Sequence, residues 1–267
     1  MINFPTCKIN LGLHILKRRE DGYHDVETAM LELPLHDILE FVESEEEAFT
    51  TSGLEIPGSG NLVLDAVAVF RRYCLFPKLA FHLHKIIPMG GGLGGGSSDA
   101  AFALKLMRDK YAPGLPNEVL KAMAATIGSD CAFFIDCGLQ FASGRGEVLS
   151  PLNLDLKNKW VVLVNLGIHI STKEAYAGVV PNEDRTSLKE ILAKPIHAWK
   201  EELVNDFEQS VFQKYPELGE IKNELYEHGA VYAAMTGSGS TLFGIFETEV
   251  QSIRWSQQVA YETYLKL

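Results

Sequence analysis

The feature that most restricts how this chain can fold is a glycine-rich segment between a predicted strand and a predicted helix. Six glycines lie within residues 90–96, inside the run from Pro88 to Ala101. Residues 79–87 alternate as in a strand, and residues 97–111 have the pattern of a helix. Glycine has no Cβ, so its backbone can adopt positive φ and approach a ligand closely. The free N–H groups at the start of a helix attract anions, so the segment predicts a phosphate-binding loop.

Other interpretations of this loop fit less well. No Gly-Lys-Ser or Gly-Lys-Thr follows the glycines, so the loop is not a Walker A motif. The early βαβ unit and the ribose-binding acid of a Rossmann fold are also missing. A flexible linker or a tight packing turn is the remaining alternative. It is disfavoured because a linker would not lie between a periodic strand and an alanine-rich helix.

Composition limits the possible partners. The chain has 267 residues, 46% hydrophobic and 22% charged, which is typical of a globular protein with one large or two ordinary domains. A net charge of −11 argues against nucleic acid as a partner but permits a small phosphorylated metabolite. The four cysteines form no CxxC pair, which favours reduced thiols. No apolar run approaches the roughly 18 residues of a membrane span, so we expect a cytoplasmic protein without a membrane partner.

Strand and helix patterns alternate irregularly along the chain, with hairpin-type spacing. This favours an α+β fold in two domains, 1–155 and 156–267, over a regular βαβ winding. The patterns predict further strands over 8–17, 27–33, 37–43 and 160–165, short strands within 131–148, and a hairpin over 231–247. They predict further helices over 61–73, 117–127, 171–178, 187–193, 197–213, 217–228 and 250–265.

Two further segments place polar residues among apolar ones. Lys8 and Asn10 lie two residues apart on a predicted strand, so they face the same way. Such a pair costs free energy unless it has partners or a function. Asp130 precedes an apolar run, residues 132–135, that we interpret as a strand, so we expect it to be partly buried. Taken alone, either Lys8 or Asp130 is more often part of a surface ion pair than a catalytic group.

Three segments together resemble the motifs of the GHMP kinases, which include galactokinase, homoserine kinase, mevalonate kinase and phosphomevalonate kinase. The segments are Pro5–Leu11, Pro88–Ala101 and Thr236–Thr241, and their order and spacing match over nearly the whole chain. Asp21-Gly-Tyr-His24 and Gly144-Arg-Gly-Glu147 are similar to one branch of the family, whose substrate is a methylerythritol linked to cytidine diphosphate. The first of these segments is the more specific, because GHMP kinases in general lack it.

The resemblance implies a ribosomal-protein-S5-like N-terminal domain and a ferredoxin-like C-terminal domain, with the active site in the cleft between them. It implies ATP-dependent phosphorylation of the 2-hydroxyl of that cytidine-linked substrate, in the non-mevalonate route to isoprenoid precursors. Mg²⁺ is expected with ATP, although no residue identifies its protein ligand. The expected partner is a small molecule with a cytidine diphosphate group, and the expected assembly is a monomer or a weak homodimer.

The resemblance also implies roles for individual residues. Asp130 would accept the hydroxyl proton or orient the hydroxyl, and Lys8 would keep Asp130 ionised and offset charge on the transferring phosphoryl group. Asn10 would position the erythritol part. Tyr23 would stack on cytosine, His24 would hydrogen-bond its edge, and Tyr176 would offer a second stacking face. The implied ATP site consists of Pro88, Met89, Gly90, Gly91, Gly92, Leu93, Gly94, Gly95, Gly96, Ser97 and Ser98, with Asn61 and Leu62 near the adenine.

Alternatives stay open at this point. One is a GHMP kinase for homoserine, mevalonate or a sugar, or a related decarboxylase; Tyr23 and His24 argue against both. Another is an inactive relative that binds a ligand and signals to a partner, which the presence of both Lys8 and Asp130 disfavours. His82 and His84 could form a metal pair, but no third ligand is visible nearby, so ordinary histidines are favoured.

Overall fold

The chain combines four-stranded sheets with short and medium helices, and the computed structural model describes residues 1–56 and 60–267. The strands are β1 Ile2–Asn3, β2 Thr6–Arg18, β3 His24–His36, β4 Ile38–Glu43, β5 Ala48–Gly53, β6 Leu79–Lys85, β7 Leu139–Ser143, β8 Val148–Pro151, β9 Trp160–Asn165, β10 Tyr232–Met235, β11 Leu242–Phe246 and β12 Tyr261–Lys266. The α-helices are α1 Leu62–Arg71, α2 Gly95–Tyr111, α3 Asn117–Ala125, α4 Phe133–Asp136, α5 Thr172–Ala177, α6 Leu188–Leu192, α7 Trp199–Glu202, α8 Phe207–Lys214 and α9 Pro216–Glu227. A 3₁₀ helix covers Ile196–Ala198. The α+β class is therefore confirmed.

Two compact units are built from interleaved segments of the chain. The first contains residues 1–8, 35–89 and 94–137, and the second contains residues 9–34, 90–93 and 138–267. These compact units do not correspond to the two continuous segments, 1–155 and 156–267, that the sequence predicts as domains. The linear division stays a prediction about the sequence domains.

The first unit contains a sheet in the order β1-β4-β6-β5, with β5 parallel to β6 and the other pairs antiparallel. Residues of β6 alternate between buried and half-buried, which is the pattern of a sheet covered on one face. Helices α1 and α2 pack together within this unit, and each buries an apolar set of side chains. Strand β6 leads directly towards the glycine-rich segment, and α2 begins inside it.

The second unit holds most of two further sheets, in the orders β2-β3-β7-β8 and β10-β11-β9-β12. Strand β9 is central in its sheet, since β11 and β12 pair with it on both sides, and five of its six residues are buried. The apolar core of the second unit contains strand and helix residues that are far apart in sequence. Members of this core include Leu13, Ile15, Val26, Val162, Val164, Phe207, Leu218, Ile221, Leu225 and Met235.

Three predicted elements differ in the structure. Residues 133–136 form the short helix α4, so the prediction of a strand over 132–135 is wrong. The predicted helix over 250–265 is also wrong, since Tyr261–Lys266 is a strand that pairs with β9. The single helix predicted over 197–213 is divided into a 3₁₀ turn, α7 and α8, with an interruption around Asn205. Within the described ranges, no helix combines the length and the apolar character needed to cross a bilayer.

Candidate active site

The predicted phosphate loop lies at the N-terminus of α2. Gly94 caps the helix with a left-handed backbone, φ 71°, and as a glycine it contributes no side-chain cap hydrogen bond. The first helical hydrogen bond runs from the Ser98 N–H to the Gly94 carbonyl, 2.9 Å. No acidic residue lies in that first turn. The N–H groups and the positive end of the helix dipole are therefore suited to bind an anion, as the sequence predicts for a phosphate.

Gly94, at the start of α2, leaves little room for a side chain because other side chains lie directly against it. A Cβ built on Gly94 would come within 3.0 Å of the Phe134 ring and 3.2 Å of Lys8 Cε. A Cβ on Gly96 would lie 3.8 Å from Leu62. The structure thus brings Lys8 and Leu62, predicted as catalytic and adenine-binding residues, to the first turn of α2.

Lys8 and Asp130, both in the first unit, form an ion pair beside the loop. Lys8 Nζ lies 3.3 Å from Asp130 Oδ2, and the Lys8 side chain is 3% exposed while that of Asp130 is 30% exposed. A buried ammonium requires an opposite charge or hydrogen bonds, and Asp130 supplies the charge. The exposed fraction of Asp130 leaves its carboxylate accessible to a ligand. The pair therefore offers a fixed positive charge and a reachable proton acceptor next to an anion site.

A second charged cluster, formed by Asp37, Lys85 and Asp99, lies where the two ends of the loop meet the strand and the helix. This cluster was not predicted from the sequence. Lys85 Nζ bonds to Asp37 Oδ2 and lies 2.7 Å from Asp99 Oδ2. Asp37 Oδ1 accepts the N–H groups of Ile86, 2.6 Å, and Ile87, 2.8 Å. Lys85 ends the strand before the loop and Asp99 lies in the helix after it, so the cluster ties together the two flanks of the loop.

Asn10 is fixed in the second unit by a hydroxyl of the third glycine segment. Its N–H donates to Thr236 Oγ1, 3.0 Å, and its Nδ2 donates to Thr28 Oγ1, 3.0 Å. Thr236 Oγ1 also lies 3.2 Å from both Asn10 Oδ1 and the Gly92 carbonyl oxygen. The single hydroxyl proton can serve either acceptor. Thr236 therefore connects the predicted substrate-positioning residue with residue 92 of the glycine-rich loop.

The predicted cytidine-binding residues are found in the second unit in two arrangements. The rings of His24 and Tyr176 stack directly, with centroids 4.8 Å apart and an interplanar angle of 20°. That separation leaves no room for a third ring between them. Tyr23 is 59% exposed, and the Arg145 guanidinium carbon lies 5.1 Å from its ring centroid. Burial, followed by the charge of Arg18, lowers the pKa of His24, so its ring is neutral near pH 7 and offers one donor and one acceptor.

The other predicted site residues have clear local roles. Asn61 is the N-cap of α1, where its Oδ1 accepts the Val63 N–H at 2.8 Å. In the loop, Met89 is 38% exposed and Leu93 is buried. His82 hydrogen-bonds Thr50, 2.8 Å, and Ser52, 2.9 Å, on the sheet surface. Among the residues that the structure describes, no three His, Cys, Asp or Glu side chains are grouped to hold a metal ion.

A glycine-opened helix terminus with a lysine–aspartate pair beside it supplies an anion site, a fixed positive charge and an accessible carboxylate, which are the groups that phosphoryl transfer uses. Residues 61–143 match the model of the GHMP kinases N terminal domain, and residues 187–261 match that of the GHMP kinases C terminal. The chain belongs to the GHMP kinase family. It is an ATP-dependent kinase that transfers a phosphoryl group to an alcohol of a small molecule.

Two curated relatives that match nearly the whole chain share one name. A 4-diphosphocytidyl-2-C-methyl-D-erythritol kinase of Cytophaga hutchinsonii is 49% identical over 255 residues, covering 94% of this chain and 94% of the relative. A kinase of the same name from Bacteroides fragilis is 45% identical over 274 residues and covers both chains completely. The similarity therefore extends over both family segments and the predicted site residues between and before them.

Solved structures give the same result for the fold. A crystal structure of 4-(cytidine 5'-diphospho)-2C-methyl-D-erythritol kinase matches with a TM-score of 0.78 and 32% identity, covering 93% of this chain and 91% of that one. The mevalonate kinase of Methanococcus jannaschii matches with a TM-score of 0.68 at 15% identity, over 92% of this chain and 90% of that one. The two-domain GHMP kinase fold expected from the sequence is confirmed.

Proposed function

We propose that this kinase phosphorylates the 2-hydroxyl of 4-diphosphocytidyl-2-C-methyl-D-erythritol with ATP as donor, in the non-mevalonate route to isoprenoid precursors. The observation that carries the proposal is the joint presence of the Lys8–Asp130 pair beside the phosphate loop and of the Tyr23-His24 segment. Relatives of that name, similar over the full chain, support the same substrate.

In the reaction, the 2-hydroxyl oxygen attacks the γ-phosphorus, and the bond from that phosphorus to the β,γ-bridging oxygen breaks. ADP leaves, and the hydroxyl proton passes to Asp130. Such a transfer depends mainly on positioning and on stabilising negative charge. Asp130 is suited to accept the proton, or to orient the hydroxyl, because its carboxylate is partly exposed. Lys8 is suited to stabilise the transferring group because its ammonium is buried and fixed by the ion pair.

The nucleotide site would consist of the loop from Pro88 to Ser98, with the N–H groups of α2 facing the phosphates. Asn61 and Leu62 would lie near the adenine, which agrees with the contact distance between Leu62 and the Gly96 position. Mg²⁺ would enter with the nucleotide and reduce the negative charge of its phosphates. Mg²⁺ prefers phosphate oxygens and water and needs few protein carboxylates. That preference fits the absence of a ready-made metal cluster among the described residues.

The cytidine group would be recognised by Tyr23, His24 and Tyr176. The exposed ring of Tyr23 offers a face for stacking, and the neutral ring of His24 offers hydrogen bonds to the base edge. Because His24 already covers one side of Tyr176, a base that stacks on that side would require His24 to move aside. Asn10, held by Thr236 and Thr28, would position the erythritol part.

The proposal is tested by coupled measurement of ADP release with Mg-ATP and a panel of acceptors. The panel contains 4-diphosphocytidyl-2-C-methyl-D-erythritol, mevalonate, phosphomevalonate, homoserine and galactose. Turnover with the first acceptor alone is expected. The Asp130→Asn variant, purified identically, controls for contaminating ATPases. Turnover with another acceptor would overturn the cytidine assignment, and no turnover with any would favour a non-catalytic binder.

A further inference from the structure

The buried cluster of Asp37, Lys85 and Asp99 has no part in the proposed phosphoryl transfer. The Lys85 and Asp37 side chains are fully buried and that of Asp99 is 3% exposed. Lys85 Nζ would lie 2.9 Å from a Cβ at Gly95, the first residue of α2. One ammonium group therefore separates the Asp99 carboxylate from the helix terminus where the phosphates are expected.

The charges in this cluster do not balance. One ammonium faces two carboxyl groups, so the fully ionised cluster has a charge of −1 away from water. Asp37 is well satisfied, because its Oδ1 accepts two backbone N–H groups. In the described chain, Asp99 Oδ1 has no hydrogen-bond partner. Burial raises the pKa of the Asp99 carboxyl to about 7, against the opposing effect of Lys85 and with a further rise from Asp37.

The surroundings of Asp99 contain few other charges. The charged groups that act on it are Lys85 from β6 and Asp37 from the segment before β4. The buried side chains that α1 and α4 contribute are apolar. The same holds for the buried positions of α3 and β4. Apart from the Lys85 ammonium, these elements contribute apolar buried side chains, so a new charge at the terminus of α2 would act on Asp99 with little further screening.

We propose that Asp99 is a positioning residue of the nucleotide site, and that it takes up a proton when the nucleotide phosphates bind at the N-terminus of α2. The inference rests on the proposed binding of ATP at this loop. Negative phosphates disfavour a second negative charge on the same short helix segment, so the neutral carboxylic acid becomes the preferred form. Lys85 then retains Asp37 as its charged partner, and the two flanks of the loop stay tied together.

The test is isothermal titration calorimetry with a non-hydrolysable ATP analogue at pH 7, in two buffers of different protonation enthalpy. Excess Mg²⁺ keeps the nucleotide phosphates deprotonated. The wild-type protein is expected to take up about 0.4 proton per nucleotide, the change for a carboxyl whose pKa rises by about one unit from about 7. By linkage, its affinity should be about sixfold weaker at pH 8.5 than at pH 6.5.

Asp99→Asn keeps an oxygen for Lys85 and resembles the protonated acid, so it should bind the analogue with the proton uptake and the sixfold pH effect both lost. Asp109→Asn is the matched control, since Asp109 lies on the same helix with a side chain 49% exposed, and it should behave like the wild type. Equal uptake by Asp99→Asn and wild type overturns the inference. The inference is also overturned if the wild type binds the nucleotide with the same observed enthalpy in both buffers, a result that can be obtained without any variant. A wild-type protein that does not bind the analogue contradicts the proposed function instead.

Discussion

Gly94 lies directly against Lys8, so that a methyl group at residue 94 would come 3.2 Å from the lysine Cε. The two residues are 86 positions apart in sequence. Gly94 is the residue at which α2 begins, and Lys8 forms the ion pair with Asp130. A glycine is needed here because of the packing of a buried lysine as well as the approach of a ligand. The shape of the phosphate loop and the position of the ammonium are consequently linked.

Gly94→Ala is expected to weaken both stability and activity. The left-handed backbone disfavours a side chain, and the methyl group would press on Lys8 and Phe134. The cost in unfolding free energy should be about 1 to 3 kcal/mol. Urea unfolding and steady-state kinetics measure the two effects. Gly114→Ala is the matched control, since open space surrounds residue 114, and equal effects of the two variants would contradict the packing argument.

Asp130→Asn should keep nucleotide binding and lose most turnover. The amide cannot accept the hydroxyl proton and leaves Lys8 without its opposite charge, so kcat should fall by about 10²- to 10⁴-fold. Kinetics of the cytidine-linked acceptor, with calorimetry of nucleotide binding, separate the two effects. Asp136→Asn removes a comparable carboxylate that pairs with Lys121 on α3 and should leave kcat near the wild-type value. Near-normal turnover of Asp130→Asn would show that another group takes the proton.

Tyr23→Ala should raise KM for the cytidine-linked acceptor and leave KM for ATP unchanged. Loss of a stacked ring costs about 1 to 3 kcal/mol per base, which corresponds to a KM increase of roughly 5- to 150-fold. Tyr73→Ala is a suitable control, because Tyr73 is similarly exposed, 62%, but belongs to the first unit, whereas Tyr23 belongs to the second. An unchanged acceptor KM would remove Tyr23 from the base site.

Thr236→Val should destabilise the protein by about 1 to 3 kcal/mol, since the hydroxyl bonds to the Asn10 backbone and the valine leaves buried polar groups unpaired. Thr236→Ser keeps the hydroxyl and should restore most of the loss. Thermal unfolding of both variants measures the difference. If serine and valine were equally harmful, the methyl group and its packing would be the cause rather than the hydroxyl.

His14 should make stability fall as the pH is lowered. Burial, followed by the charge of Arg185, lowers its pKa to about 4, and neither ring nitrogen has a hydrogen-bond partner in the described chain. The unfolded chain therefore binds the proton first, and stability is lost between about pH 6.5 and pH 4, by about 3 kcal/mol at most. His14→Gln should flatten that slope in urea unfolding, whereas the exposed His228→Gln should not. Asp99 acts oppositely, because its raised pKa removes stability as the pH rises from about 4 to 7.

The sequence predicted correctly those structural features that depend only on residues close together in the chain. The glycines before α2, the Asn61 cap of α1 and the turn from Thr236 to Thr241 act within a few positions of the chain, and the structure places helix, cap and hairpin there. The apolar run at residues 132–135 could not be assigned in the same way. A short apolar segment has the same composition in a buried helix as in a buried strand.

Long-range pairing explains the other differences. Residues 261–266 form a strand because β9, about 100 positions earlier, pairs with them. The helix predicted over 197–213 is interrupted because the Asn205 Nδ2 donates to the carbonyls of Met235, 2.7 Å, and Gly237, 2.8 Å. The Asp37–Lys85–Asp99 cluster joins residues 48 and 14 positions apart, and each residue taken alone resembles an ordinary surface charge. Only the folded chain brings such partners together.

The interleaved composition of the two compact units affects how the chain can fold while it is synthesised. The last residue of the first unit is Cys137, so all its parts have been synthesised before residues 138–267 of the second unit. The second unit begins at Ile9 but needs strands that end at Lys266. Leu13, Ile15 and Val26 belong to a core whose buried members extend to Ile253, so the packing of these three side chains is completed only after those later residues have been synthesised. Protection of this early segment by a chaperone during translation would meet a need created by the chain's own topology.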